Sequence, residues 1–376
     1  MNFESYPFEK LTSLLDGITP LKGFVPSILT IGEPQLETPL FIQERLSHSS
    51  NLLNKYPKTA GESYLKDAQK RFFERRFDIV LSDDEIVPTF GTREVLFNFP
   101  QFVLFNIKNP IMAYTNPFYQ IYEGAAIACR AEVVYLDLTK ENGFKPNISL
   151  EKLKSTNLVI LNFPNNPTSS TLCIEELGEW VKLALKYDFI LLNDECYSEL
   201  YCDKKPVSLL EASLHVGNTK YKNILVVNSI SKRSSAPGLR SGFIAGDETI
   251  LQEYKKYRTY AGTAIPLPLQ SASAVAWDDE KHVEKARDMY RHNLKLASKI
   301  LNIKKSQATF YVWLEVDNDL EFTCELYRSK NIKVLPGTFL GRNGVGRGYV
   351  RIALVEDNQK TEEVLMRISD FIGVQK

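Results

Sequence analysis

The sequence has few of the residues that bind metals or build disulfide frameworks. Its five cysteines are an odd number with no C-x-x-C pair, and we interpret them as reduced core or surface thiols. The four histidines are scattered, mostly in polar helical or loop contexts: His48, His215, His282 and His292. We interpret all four as surface residues, which gives little support to zinc binding or histidine-base catalysis. We therefore expect no metal site.

An excess of charge and long apolar runs are also lacking. Lys plus Arg and Asp plus Glu number 46 each, so the net charge gives no argument for nucleic acid, a membrane surface or acidic partners. No apolar run approaches the roughly 20 residues that a membrane-spanning helix needs, and residues 1–7 do not resemble a signal peptide. We predict a soluble, cytoplasmic protein that acts on small molecules, with neither nucleic-acid nor membrane partners.

The length and the order of patterns predict an α/β protein with two domains and an N-terminal arm. The chain has 376 residues, 44% of them hydrophobic, enough for a large core. We expect residues 1–30 to form an arm that contributes to small-domain or dimer contacts, residues 31–265 a large domain, and residues 266–376 a smaller α+β domain. In the large domain, strand and helix patterns alternate, which predicts βαβ units and a mainly parallel sheet. Strands are predicted near 86–87 and at 110–114, 131–136, 158–161, 189–192, 224–227 and 243–245, and helices at 63–76, 175–187 and 248–257.

The C-terminal third has its own pattern. A helical region at 270–300, interrupted near 277–279, precedes strands at 309–316, 332–335 and 349–354 and a helix at 360–372. One short helix is expected near 8–15 in the arm.

The segment 229–243 follows a buried strand and contains a lysine and an arginine beside small hydroxyl residues. Pro237-Gly238 predicts a turn that excludes a continuous helix, so we place Lys232 on a loop. A partly desolvated lysine near another cation has a lowered pKa and can attack an aldehyde such as that of pyridoxal phosphate. Arg240 could bind the phosphate bidentately. On this segment alone, a solvated basic loop explains the residues equally well.

Gly91, Thr92 and Arg93 give a second indication of a phosphate site. They lie between a strand end and a helix start, where free N–H groups and the helix dipole favour an anion.

Two further strand ends carry polar side chains that can converge with Lys232. Asn166 follows one strand, and Asp194 and Tyr197 follow another. Pyridoxal phosphate requires a carboxylate at its ring nitrogen, for which Asp194 is suited. Asn166 and Tyr197 could donate to the phenolic ring oxygen, and Tyr119 could cover the ring face. Taken singly, these residues are also explained as a turn, a helix cap, a core edge and core packing.

The motifs, taken in order, resemble the class I/II aminotransferases of pyridoxal phosphate fold type I over residues 29–354. The motifs are Tyr56 with Gly61, Gly91-Thr92-Arg93, Pro117-Phe118-Tyr119, Asn166-Pro167, Asp194 with Tyr197, Ser229-x-x-Lys232, Arg240 and Arg351.

The resemblance implies roles for these residues. Lys232 would be the Schiff-base lysine and proton shuttle, and Asp194 the partner of the pyridinium. Ser229, Arg240 and the amides of residues 91–93 would hold the phosphate. The resemblance also implies a homodimer in which Tyr56 reaches the phosphate of the partner subunit.

The substrates, by the same resemblance, would be an amino donor and a keto acid. Arg351 would bind the substrate α-carboxylate, with Asn166 and the Gly32 backbone, beside Tyr119.

Within the class, three segments most resemble the N-succinyldiaminopimelate aminotransferases of lysine biosynthesis, which implies glutamate and 2-oxoglutarate as the second pair: residues 231–243, 308–311 and 334–337. Residues 32–36 depart from the Gly-x-Pro-Asp-Phe pattern common in the class, and residues 341–348 look shortened relative to that subfamily. Both segments could border the substrate. An aspartate or aromatic aminotransferase, a C–S lyase and a non-catalytic regulatory module therefore remain alternatives. The candidates for binding a second substrate carboxylate or succinyl group are Arg233, Arg342, Arg347 and Lys22.

Overall fold

The computed structural model describes residues 3–375. Within that range the helices and strands are, in chain order, α1 (Pro7–Leu14), β1 (Ser27–Ile28), α2 (Leu40–His48), α3 (Ser63–Phe77), β2 (Ile86–Thr89), α4 (Thr92–Leu104), β3 (Ile111–Asn116), α5 (Ile121–Cys129), β4 (Glu132–Asp137), α6 (Leu150–Ser155), β5 (Leu158–Leu161), α7 (Ile174–Tyr187), β6 (Ile190–Asp194), α8 (Leu209–His215), β7 (Ile224–Ser229), α9 (Ile230–Arg233), β8 (Gly242–Gly246), α10 (Glu248–Ala261), α11 (Leu267–Asp278), α12 (Lys281–Ile300), β9 (Tyr311–Glu315), α13 (Asp319–Lys330), β10 (Ile332–Lys333), β11 (Leu335–Pro336), β12 (Tyr349–Ala353) and α14 (Asn358–Gln375).

A seven-stranded sheet forms the centre of the molecule, in the order β2-β8-β7-β6-β5-β3-β4. Strands β3 to β7 pair in parallel, and β8 is antiparallel to both of its neighbours. The central strands β5 and β7 are buried along their whole length, because their apolar runs are covered on both faces. The predicted α/β architecture with a mainly parallel central sheet is confirmed.

Helices cover both faces of this sheet. On one face, Phe72 and Phe73 of α3 pack with Phe243 of β8 and Trp277 of α11. On the other, α4, α5 and α10 contribute a second buried cluster that includes Tyr254. Two covered faces explain why the strand sequences are apolar rather than alternating.

A three-stranded antiparallel sheet, β11-β12-β9, lies in the C-terminal part of the chain. The buried residues Val312 and Leu314 of β9 and Val350 and Ile352 of β12 form a hydrophobic cluster with α12, α13 and α14. The predicted strand 332–335 is divided: β10 pairs with β1 of the arm, whereas β11 pairs with β12. The domain boundaries at residues 30 and 265 stay predictions.

Lys232 lies on one turn of helix, α9, rather than on the predicted loop. The Ser229 side chain accepts from the Ser231 amide at the start of the turn, and the Ser234 amide donates to Ile230 O at its end, 2.9 Å away. The turn ends at Arg233, and Ser235 then takes a positive φ of 47°, so the break predicted at Pro237 still allows a single helical turn before it.

The part of the chain that the structure describes includes no helix long and apolar enough to cross a bilayer. Within residues 3–375 no cluster of three or more His, Cys, Asp or Glu side chains is arranged to hold a metal ion.

Arg258 of α10 is a buried charge that connects several segments around the sheet edge. It donates to Glu94 Oε2 at 3.0 Å and to the carbonyls of Thr59, Pro88 and Thr263. The side chain is 0% exposed and that of Glu94 is 9% exposed. This pair therefore fixes the start of α4.

We expect Arg258→Met to lower the free energy of unfolding by about 3–5 kcal/mol, because it leaves the Glu94 carboxylate buried without its partner. Urea unfolding of the apoprotein measures the loss. The double variant Arg258→Met with Glu94→Gln is the control and should recover much of it. A double variant as unstable as Arg258→Met alone would contradict the ion-pair explanation.

Candidate active site

A cavity of about 770 Å³ lies where the carboxyl ends of β5, β6 and β7 meet the three-stranded sheet. Parallel strands end at one edge, so the polar segments that follow them come together there. Eleven of the thirteen predicted site residues line the cavity: Gly32, Thr92, Arg93, Tyr119, Asn166, Asp194, Tyr197, Ser229, Lys232, Arg240 and Arg351. Gly91 lies next to Arg240, which lines the cavity, whereas Tyr56 is exposed on the protein surface.

The Lys232 amine lies inside the cavity. Its Nζ donates to the carbonyl of Gly32, and burial lowers the pKa of the amine. A lowered pKa increases the neutral fraction near pH 7, which is the form that attacks an aldehyde. The lysine is thus suited to covalent chemistry with a carbonyl ligand.

Asp194 ends β6 as a buried carboxylate. Its Oδ2 accepts from the Tyr122 hydroxyl at 2.9 Å and its Oδ1 from the Cys196 amide at 3.2 Å. Burial raises the pKa of Asp194 in spite of these hydrogen bonds. A cationic ring nitrogen would offset the cost of burying this charge.

The start of α4 and Arg240 form a site for an anion. Gly91, with φ 76°, is the N-cap residue, and a Cβ there would lie 2.4 Å from Arg240 Nη2. Arg240 is itself held by its bonds to Pro237 O at 2.9 Å and Phe90 O at 3.2 Å. Free amides, a helix N-terminus and a fixed guanidinium together suit a phosphate.

Arg351 of β12 is buried on the opposite side. Its Nη1 donates to Asn166 Oδ1 at 2.8 Å and its Nη2 to Thr30 O at 2.6 Å, and its guanidinium lies 4.5 Å from the centre of the Tyr311 ring. The buried Nε has no hydrogen-bond partner among the residues that the structure describes. A carboxylate in the cavity would satisfy this donor.

Tyr311 and Cys196 also line the cavity, and the sequence did not indicate them as site residues. The Tyr311 hydroxyl lies 3.0 Å from that of Tyr197, and a Cβ at Gly32 would lie 1.8 Å from it. Cys196 Sγ lies 3.2 Å from Thr92 Oγ1 and 3.8 Å from Ser229 Oγ. The position of Cys196 two residues after Asp194 was an available signal, whereas that of Tyr311 depends on how the two sheets pack.

The mouth of the cavity is formed by Arg93, Tyr119 and the arm. Arg93 Nε donates to the Tyr119 hydroxyl at 2.8 Å, and Tyr6 and Phe8 at the start of α1 line the same end. Burial, with the neighbouring Tyr6 phenol, raises the pKa of Tyr119. The tyrosine therefore stays a neutral partner of the arginine.

None of the four cations suggested for a second substrate carboxylate lines this cavity in the described chain. Arg233 is buried and donates to Ala276 O at 2.7 Å and to Glu280 at 2.9 Å. Arg342 pairs with Glu123 at 2.6 Å. Arg347 lines a separate surface depression beside Arg342. Arg233 and Arg342 were plausible only because a sequence does not show which cations are already paired.

Tyr56 is 100% exposed, on the loop before α3. It does not contact the cavity of its own chain, and its reach into a partner subunit stays a prediction.

The residues present fit pyridoxal phosphate. A buried amine faces the cavity, the buried Asp194 carboxylate forms no ion pair within the described part of the chain, and the anion site requires glycine at position 91. These are the groups that the aldehyde, the ring nitrogen and the phosphate need.

Comparisons with known proteins agree with one another. Residues 28–368 match the family model described as aminotransferase class I and II. The chain is 53% identical to aminotransferase AspB from Helicobacter pylori, with a TM-score of 0.97 and 99% of each chain covered. An aminotransferase from Neisseria meningitidis is 40% identical, with a TM-score of 0.95, covering 100% of this chain and 98% of that one. The LL-diaminopimelate aminotransferase of Maridesulfovibrio salexigens is 31% identical, over 91% of this chain and 90% of its own.

Proposed function

Because the chain belongs to the class I and II aminotransferases, we propose that it moves an amino group between a diaminopimelate-type amino acid and 2-oxoglutarate. Amino transfer with pyridoxal phosphate is the reaction of this family, so the lyase and regulatory alternatives are not retained. The finer proposal is the conversion of N-succinyl-LL-2,6-diaminopimelate and 2-oxoglutarate to N-succinyl-2-amino-6-oxopimelate and glutamate. Similarity to LL-diaminopimelate aminotransferases supports the diaminopimelate class, and also makes the unsuccinylated amino acid the second candidate.

The cofactor would be held at three points. The α4 N-terminus, Ser229 and Arg240 would bind its phosphate, and Asp194 would hold the proton of the ring nitrogen. Pyridoxal phosphate supplies an electron-withdrawing ring that carries the amino group and stabilises the charge left when a proton leaves Cα.

Lys232 would accept the proton of the substrate Cα. Its lowered pKa supports this role, since a neutral amine is needed for proton abstraction. Tyr197 and Asn166 would hydrogen-bond at the ring oxygen. Arg351 would bind the substrate α-carboxylate bidentately. This would fix the orientation of the substrate and so determine which bond of Cα faces Lys232.

The observation that carries the substrate proposal is Arg93. Four basic side chains of the described chain line the cavity: Arg93, Lys232, Arg240 and Arg351. Lys232, Arg240 and Arg351 are engaged with the proposed cofactor and α-carboxylate. Arg93 lies at the mouth, and within residues 3–375 its hydrogen-bond partner is the Tyr119 hydroxyl alone, so a distal carboxylate of the substrate could reach it.

The experiment is a single-turnover assay of the holoenzyme with glutamate, N-succinyl-LL-diaminopimelate, LL-diaminopimelate, aspartate and phenylalanine, each supplied separately. We expect fast conversion with glutamate and the succinylated donor. Conversion with LL-diaminopimelate instead would favour the second candidate. Conversion with aspartate or phenylalanine alone would contradict a diaminopimelate substrate while retaining amino transfer.

We expect Arg93→Met to lower kcat/KM for donors with a distal carboxylate by about 10- to 100-fold, since a hydrogen bond to a charged group contributes roughly 1.5–3 kcal/mol. Norleucine, which has no distal carboxylate, should react at the wild-type rate. The exposed Arg45→Met serves as the control variant. Equal losses for both kinds of donor would assign Arg93 to the cofactor rather than to the substrate.

We further propose a homodimer in which Tyr56 of one subunit reaches the phosphate site of the other. Its complete exposure in the single chain supports this, because a large aromatic side chain is seldom fully solvated. Sedimentation that finds an active monomer would remove this role. The cytoplasmic location stays a prediction.

A further inference from the structure

A chain of three side chains connects Ser234 to the start of α12. His282 Nδ1 lies 2.6 Å from Asp279 Oδ1, and His282 Nε2 lies 2.8 Å from Ser234 Oγ. The His282 side chain is only 10% exposed, so its prediction as a surface residue was wrong. Its amide also donates to Asp279 Oδ1, at 3.1 Å, which fixes the carboxylate against the helix.

The arrangement determines which ring nitrogen carries the proton. A carboxylate accepts, so Nδ1 carries the proton and Nε2 accepts from the Ser234 hydroxyl. Burial lowers the pKa of His282, and Arg233 lowers it further, whereas Asp279 and Glu280 oppose this effect. The ring of Phe41 contacts its edge at 5.6 Å and carries no charge. The imidazole is therefore neutral near pH 7 and can serve as an acceptor.

The order serine, histidine, aspartate is that of hydrolase triads, but this serine is not a nucleophile. Ser234 is 1% exposed and does not line the cavity. An acyl substrate could not reach its hydroxyl. The three hydrogen-bonded side chains must therefore serve a structural role within the protein.

Ser234 is two residues from Lys232 and closes the turn on which the lysine lies. The Ser234 amide donates to Ile230 O at 2.9 Å. Ser235 has a φ of 47°, which is costly for a residue with a side chain, and its carbonyl accepts from Thr38 Oγ1 at 2.6 Å. Because this backbone is strained, contacts from outside the turn are needed to keep it in place.

We propose that Ser234, His282 and Asp279 form a positioning relay that fixes the turn bearing Lys232, so that the amine keeps its direction into the cavity. The inference rests on the proposed role of Lys232 as the reactive lysine. His282 does not touch the cavity, and it acts through the Ser234 hydroxyl and the backbone of α9. It is a positioning residue that determines how well the amine is presented for proton transfer.

Two amide substitutions separate this role from general stability. His282→Gln can place an oxygen near the position of Nε2 and so continues to accept from Ser234. His282→Asn is one methylene shorter, reaches only Asp279 and loses Ser234. Ser234→Ala removes the donor without altering α12. Arg71→Ala is the control, because it breaks an exposed pair with Asp278, the residue next to Asp279.

We expect His282→Asn and Ser234→Ala to lower kcat about tenfold with KM unchanged. A tenfold change corresponds to about 1.4 kcal/mol, which is the contribution of one hydrogen bond. The pH midpoint of the bound cofactor's visible absorption should shift by about half a unit. In the apoprotein, amide hydrogen exchange over residues 230–235 should accelerate about tenfold. Arg71→Ala should match the wild type in all three measurements, and His282→Gln, which keeps the Ser234 bond but not the Asp279 bond, should lie closer to the wild type than His282→Asn does.

Equal behaviour of the Gln and Asn variants would overturn the proposal. So would faster exchange with an unchanged absorption midpoint, because it would show that the relay serves stability only. If His282→Asn does not fold, Ser234→Ala decides by the same three measurements. The proposed role of Lys232 fails separately, if a variant without this lysine still turns over.

Discussion

Replacement of Lys232 by alanine should lower kcat on the order of 10⁴-fold, the upper end of what a general acid–base contributes. The same change should remove the visible absorption that the cofactor acquires on covalent attachment. The lysine is the buried amine of the cavity, and its lowered pKa makes it both nucleophile and base. Stopped-flow single turnover and absorption spectra of the purified variant measure the two effects.

The matched control is Lys66→Ala. Burial lowers the pKa of Lys66 as well, but its Nζ donates to Asp83 O at 3.0 Å and lies outside the cavity. The apo form of Lys232→Ala should be at least as stable as the wild type at pH 7, because the unfolded chain binds the lysine proton more tightly than the folded one does. A visible absorption band that survives in Lys232→Ala would assign the attachment to another lysine.

Asp194→Asn should lower kcat by about 10²- to 10⁴-fold, as expected when one partner of a buried ion pair, contributing about 3–5 kcal/mol, is removed. The asparagine Oδ1 can still accept from the Cys196 amide, and its Nδ2 can donate to the Tyr122 hydroxyl oxygen, so the backbone should be unchanged. Only the interaction with the protonated ring nitrogen is lost.

Whereas Asp194→Asn should lower kcat, it should raise the stability of the apoprotein. Burial raises the folded-state pKa of Asp194, so the folded form binds the proton more tightly and its stability declines as pH rises above the unfolded value of about 3.9. Asp194→Asn should therefore stabilise the apoprotein at pH 7 and have less effect at pH 4. Urea unfolding at the two pH values measures this difference.

Glu195→Gln is the control for Asp194→Asn. Glu195 is buried next to Asp194, with its pKa raised to about 8, but it accepts from Ser208 and Leu209 and does not line the cavity. Its replacement should leave kcat within severalfold of the wild type. A Glu195→Gln variant as inactive as Asp194→Asn would mean that the effect comes from disrupted packing.

The sequence predicted the parts of the site that depend on local pattern. Asn166, Asp194 and Lys232 follow apolar strands of one sheet, and parallel strands bring such ends together whatever their separation along the chain. The antiparallel direction of β8 was not predicted, because a single strand pattern is the same in either direction.

The other half of the cavity depends on packing between elements distant in sequence. Tyr311 lies against Gly32. Tyr6 lines the same cavity as Arg93, and Leu11 of α1 packs with Leu335 of β11. His282 has a polar neighbourhood in sequence, and its burial arises from Ser234 and Phe41 in space. Periodicity does not report such long-range contacts.

Gly32 has a consequence for protein engineering. Its carbonyl accepts from the Lys232 amine, while the Tyr311 ring occupies the space where a side chain would begin. The residue contributes by its backbone alone, so every substitution would displace Tyr311 and with it the neighbour of Tyr197. Mutant libraries intended to broaden the range of amino donors should therefore keep position 32 constant.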